Sequence, residues 1–158
     1  MAQKRKYLIA MPDMAAFSHK YRAAAIDMTQ TYLVMTNPNI ERRVRRQGNG
    51  AETLYFYTEK HLMPDGEKWD TERPISKKQY EKYLLERDTA LSPVHKTKYR
   101  FIFADRRCEI DVYPFSVEKA VLFQYGGEAP LPEEITVLEE VTAQPAYKNR
   151  ALAASQKL

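Results

Sequence analysis

The sequence has little with which to build a disulfide scaffold or a soft-metal site. Cys108 is its only cysteine, which excludes an internal disulfide and a cysteine-based metal centre. The three histidines, His19, His61 and His95, show no metal-ligand spacing. No stretch reaches the roughly 20 apolar residues of a membrane span. The basic opening, MAQKRKYLIAMPDM, meets Pro12 and Asp13 before its apolar part is long enough for a signal peptide. A cytoplasmic protein without membrane contact is the expectation. Internal repeats and low-complexity segments are also missing.

What is present is charge, sorted locally. The 158 residues are 44% hydrophobic and 29% charged, the profile of one globular domain spanning 1–158 with a real core. The formal net charge is only +4, although 25 basic residues sit among 21 acidic ones, so distribution matters more than the total. Basic residues gather at 4–6, 42–46, 96–100 and 106–107. Such clusters suit an anionic partner or a solvated basic surface.

Within those clusters the charges alternate. In KTKYRFIFADRRCEIDVY (96–113), Lys96, Lys98 and Arg100 share one parity, as do Arg107, Glu109 and Asp111. A strand sends alternate side chains to opposite faces, so each run has one charged and one apolar face. Lys4 with Lys6, Arg43 with Arg45, Thr58 with Lys60, and Asp70 with Glu72 repeat the pattern, with apolar residues such as Val44, Tyr99 and Ile110 between. An open sheet with one wet face would produce this; so would a closed barrel with a charged lumen. A lumen lined by Lys and Arg must bind an anion, because crowded like charges repel when desolvated. Phosphate chains suit it, each charge-assisted hydrogen bond contributing about 1.5–3 kcal/mol.

The local signals fill in the rest. Strands are expected over KRKYLIA, IDMTQTYLV, IERRVRRQ, TLYFYTEK, residues 68–75, the two runs of 96–113, KAVLFQYG and EITVLEEVT. Helices are expected over PDMAAFSHKYRAAA and over SKKQYEKYLLERD, where Ser76 is a cap and Tyr80, Tyr83 and Leu84 lie at helical spacing. GNGAE and MPDGE read as turns. The end, AQPAYKNRALAASQKL, reads as turn and short helix. Eight or nine successive strands and two main helices make the class α+β, with a largely antiparallel sheet or barrel.

The ordered series KRKYLIAMPDM, QTYLV, RRVRRQ, YFYTEK, HKTKYRF, CEIDVY and EEVTAQPAYKNRALA resembles the CYTH superfamily over nearly the whole chain. These are the triphosphate tunnel enzymes, which include inorganic, thiamine and RNA triphosphatases and one class of adenylyl cyclases. The resemblance implies an eight-stranded antiparallel β-barrel with flanking helices that binds triphosphate through Lys and Arg on its strands. The phosphate-binding positions it implies are Lys6, Arg43, Arg45, Lys60, Lys96 and Lys98. Lys4 and Arg100 share their strands' charged parities and join the candidates. Glu109 and Asp111 match the family's E-x-D strand, and Glu140 the glutamate of its EVT motif.

One pattern is broken. Family enzymes open with Glu-x-Glu-x-Lys, whose carboxylates help hold Mg²⁺ or Mn²⁺; Ala2, Lys4 and Lys6 stand here. A later Glu-x-Glu strand is replaced by Phe123 and Tyr125, or with a slip by Gln124. Hard cations need anionic oxygens, and an ammonium opposes them. The sequence therefore reads as a non-catalytic or barely catalytic protein that binds a nucleotide, triphosphate or polyphosphate and requires no cofactor. The alternative is a Mg²⁺- or Mn²⁺-dependent triphosphatase, or a cyclase-like enzyme, with a displaced site at Glu109, Asp111 and Glu140. Nucleic-acid binding through RRVRR is disfavoured, because alternating charge on one strand suits a tunnel or a solvated face better.

Overall fold

A computed structural model describes residues 4–48 and 52–158. Ala2 and most of the expected GNGAE turn lie outside them. Along the chain run β1 (Lys4–Ala10), α1 (Met14–Tyr21), β2 (Ala24–Tyr32), β3 (Ile40–Gln47), β4 (Leu54–Leu62), β5 (Lys68–Ile75), α2 (Lys77–Leu84), β6 (Val94–Phe103), β7 (Arg106–Val112), β8 (Lys119–Tyr125), β9 (Val137–Glu140) and α3 (Asn149–Ser155). The sheet is antiparallel, with its strands in the order β5-β4-β3-β2-β6-β7-β8-β1-β9. The α+β expectation holds. Among the described residues the strands number nine rather than eight, and the ladder has two ends, β5 and β9, so it is not a closed barrel. The chain groups into two units, Met1–Ile26 with Lys96–Leu158, and Asp27–His95.

In the first unit the alternation of charge becomes a division of faces. Tyr7 and Ile9 of β1, Phe101 of β6, Cys108 and Ile110 of β7, and Ala120 and Leu122 of β8 form one buried apolar cluster. Helix α1 covers it with Phe17, whose ring meets that of Phe101 edge-on at 5.0 Å between centroids. Burying a large apolar side chain contributes about 1.5–3 kcal/mol, so this face fixes the register, and the opposite parity must carry Lys4, Lys6, Lys98, Glu109 and Asp111. Asp13 caps α1 by accepting from the Ala16 amide. The helix is shorter than expected, because Arg22 adopts a left-handed φ of 53° and ends it. Ala24 and Ala25, expected in the helix, start β2 instead. Between β6 and β7, Ala104 and Asp105 both have positive φ, 51° and 57°, as the tight two-residue hairpin requires.

In the second unit, Val44 of β3 and Tyr57 of β4 cluster with Leu33 and with Tyr80 of α2. Tyr83 of α2 stacks on Tyr57 at 4.7 Å. Ser76 and Gln79 form a reciprocal capping box at the start of α2, so this helix covers the sheet with the Tyr and Leu residues its spacing singled out. β5 is exposed along almost its whole length.

Candidate functional site

The charged face of the first unit is set by strand register. Lys98 lies opposite Asp111 and Arg100 opposite Glu109 across β6 and β7. Glu109 lies opposite Phe123 across β7 and β8, and Lys6 lies opposite Phe123 across β8 and β1. Directly opposed residues share a face, so the basic strands and the acidic strand meet side by side.

Most of these groups are buried. Lys6, Lys96, Lys98, Glu109 and Asp111 are each no more than 9% exposed. Lys96 Nζ donates to Asp111 Oδ2 at 2.9 Å, and Lys98 Nζ lies 2.9 Å from Asp111 Oδ1. Glu109 accepts from Lys98 Nζ at 3.1 Å, from Arg100 Nε at 2.9 Å and from the Tyr125 hydroxyl at 3.0 Å. Burial pulls the Asp111 and Glu109 carboxyls upward, but the ammonium groups beside them outweigh it and hold both below the ordinary carboxylate range. Burial and the Glu109 carboxylate push the Tyr125 phenol up to about 12, so it stays a hydrogen-bond donor.

The cations outnumber these two carboxylates. Lys6 Nζ donates to the Tyr147 carbonyl at 3.1 Å. Its ammonium is pushed down to about 8, first by burial, then by Lys4, Lys96 and Lys148, with Asp111 opposing. Positive charge is thus held at close quarters and partly desolvated, the condition under which an anion is bound most strongly. Lys148, Phe123 and Tyr125 belong to this site but were not among the expected ligands. Parity could have placed both aromatics on the charged face, since β8 pairs with β1 and β7. Lys148 precedes α3 and carries no strand pattern.

Glu140, expected with Glu109 and Asp111, stands elsewhere. It lies opposite Tyr7 across β1 and β9, on the parity opposite to Lys4 and Lys6. Its carboxylate accepts from Arg5 at 3.2 Å and from Thr142 at 2.7 Å. Register is the reason: the core parity of β1 carries Arg5, and Glu140 follows it. Among the described residues, no three His, Cys, Asp or Glu side chains gather as a metal site.

The second unit has its own charged face. Arg43 lies opposite Thr58, and Glu41 opposite Lys60, across β3 and β4. Thr58 and Lys60 lie opposite Glu72 and Asp70 of β5. Arg45 donates to Gln47 at 2.9 Å and to Glu72 at 2.8 Å, and stacks over Phe56 at 4.7 Å. Arg43 Nε is buried without a hydrogen-bond partner, next to a small cleft lined by Glu41, Thr58 and Lys60. Arg43, Arg45 and Lys60 therefore share one sheet face, as their parity required. Arg42, one residue off, turns to the core side and donates to Tyr57 and Glu86 at 3.0 and 3.1 Å.

No protein-family model and no curated protein matches the sequence. Solved structures do. The inorganic triphosphatase NE1496 is 28% identical with a TM-score of 0.66, the match covering 98% of this chain and 95% of that one. A candidate adenylate cyclase from Bacillus halodurans has a TM-score of 0.56 at 12% identity, over 79% of this chain and 80% of that one. The Hippeastrum protein HpAC1, described with a dominant triphosphatase activity, has a TM-score of 0.51 at 10% identity, over 80% of each chain. The chain shares with these structures the CYTH-type, triphosphate-tunnel fold.

Proposed function

We propose that this protein binds a phosphate-rich anion, a triphosphate, nucleotide or polyphosphate, on the basic face of β1 and β6, and that it senses or sequesters this ligand without hydrolysing it. The observation that carries the reading is the crowding of Lys4, Lys96 and Lys148 around the buried Lys6, where the cations outnumber the two carboxylates, Asp111 paired with Lys96 and Lys98 and Glu109 with Lys98 and Arg100. The likeness to an inorganic triphosphatase supports the ligand class. A polyphosphate spans several of these cations at once, so it should bind better than monophosphate. The one cysteine is unpaired and buried, which suits action in the reducing cytoplasm.

The same likeness favours a second reading, a metal-dependent triphosphatase. Phosphate release from tripolyphosphate, ATP and thiamine triphosphate, assayed with Mg²⁺ and Mn²⁺ in turn, separates the two. We expect release no faster than without protein. Turnover that chelation abolishes would establish the enzyme instead.

Proton linkage gives a second test. Lys6 is surrounded by Lys4 on its own strand, Lys96 and Asp111 on β6 and β7, and Lys148. Its folded-state value near 8 lies below the ordinary 10.5. The free folded protein therefore binds fewer protons than the unfolded chain between these values, and its stability should rise with pH across that window. Below about 8 both states carry the charge and the full cost of Lys6 is present. A bound anion restores the charge, so binding should take up a proton above pH 8, and affinity should fall as pH climbs towards 10. Calorimetry in two buffers of different ionisation enthalpy reads this directly. Proton release on binding would contradict the placement of Lys6 at the ligand.

A further inference from the structure

Phe123 occupies the centre of the basic face. Its ring centroid has the ammonium groups of Lys4, Lys6 and Lys98 at 5.4, 5.2 and 5.1 Å. The ring is 9% exposed, so its negative π face acts where water screens poorly. Beside it, the Arg107 guanidinium lies 4.0 Å from the Tyr125 ring centroid. Two of the side chains that β8 presents to this face are thus aromatic, and both carry cations.

A divalent cation here would need hard anionic oxygens. The carboxylates on the face are Glu109 and Asp111, and their oxygens are engaged by Lys96, Lys98, Arg100 and Tyr125. Coordinating a metal would strip those partners and set the ion against at least three ammoniums. This donor set does not fit Mg²⁺ or Mn²⁺.

We infer that the face takes its polyphosphate as the metal-free anion, and that Lys4, Lys6 and Lys98, gathered over Phe123, supply the positive charge a divalent cation would otherwise bring. The inference rests on the phosphate-binding reading above. Phe123 is in this account a positioning residue: its quadrupole lets three like charges stand around one ring. Mg²⁺ in solution coordinates the same phosphate oxygens and lowers the charge of the ligand, so it acts as a competitor.

The test is calorimetric titration of the full chain with tripolyphosphate, once in EDTA and once in excess Mg²⁺. Binding should be present in EDTA and about tenfold weaker in Mg²⁺, the size expected when one charge-assisted contact is lost. Phe123→Leu keeps the apolar volume but removes the quadrupole, and should weaken binding in EDTA about tenfold while the melting transition is retained. Phe123→Glu should weaken binding in both solutions, because the added carboxylate pairs with the same lysines as Glu109 and Asp111 do. Binding by the parent that requires or tightens with Mg²⁺ overturns the inference and leaves phosphate binding standing. Absence of binding in both solutions overturns both. Unchanged affinity in Phe123→Leu removes the part given to the ring.

Discussion

Replacing Lys96 and Lys98 together by glutamate is expected to unfold the first unit. The two side chains are 4% and 11% exposed, and their partner Asp111 is fully buried. The double variant would place four carboxylates within one desolvated patch. Breaking a single buried ion pair by removing one partner costs about 3–5 kcal/mol, against a total stability of about 5–15 kcal/mol for a typical domain. Reversing two pairs therefore consumes most or all of it. Far-UV circular dichroism and urea denaturation would show a lost or strongly shifted transition. A double variant as stable as the parent would mean that these ion pairs are not closed in solution. On strand parity alone the same variant passes for a fold-neutral probe of binding; burial makes it a folding probe. Lys98→Met is the milder choice, because Lys96 still serves Asp111, and Arg100 with Tyr125 still serves Glu109.

Asp111→Asn should separate stability from affinity. Each carboxylate oxygen of Asp111 lies 2.9 Å from an ammonium group, so the carboxylate stands in for part of the ligand's charge when no ligand is bound. Asparagine keeps the shape and removes the charge. We expect stability to fall by about 3 kcal/mol, the lower end for a broken buried pair. Affinity for tripolyphosphate should rise about tenfold, since Lys96 and Lys98 lose a competing anion at contact distance. Saturating ligand should then recover much of the lost melting temperature, as stabilisation grows with ligand concentration over Kd. Scanning calorimetry with and without tripolyphosphate, alongside a binding titration, reads both effects. Weaker binding by the variant would mean that Asp111 orders the lysines more than it neutralises them.

Much of this was legible in the sequence, for a physical reason. Alternation with period two fixes which residues of one strand share a face, so Lys96 with Lys98, and Glu109 with Asp111, could be paired before any register was known, and the family resemblance joined them to Lys6. The β5 bounds and the Ser76 cap were equally local signals. What parity cannot give is register between distant strands. The family resemblance set Glu140 with Glu109 and Asp111, whereas pairing with β1 places it beside Arg5. Against the family pattern Phe123 counted only as a lost ligand, because the three lysines around its ring come from β1 and β6 and meet there only through β8. The end of α1 was missed because the left-handed turn at Arg22 has no glycine to announce it.

The two ends of the strand ladder bear on how the protein behaves at high concentration. An unpaired edge is a template for the strand of another molecule. At one end, β5 exposes Lys68, Asp70, Glu72 and Arg73 in succession with Thr71 and Trp69, and Pro74 removes a backbone donor from it. At the other end, β9 is only four residues long and finishes in Glu139 and Glu140. Charge and proline guard the first edge, brevity and acidity the second. Each edge thus carries features that oppose pairing with a second copy of the chain.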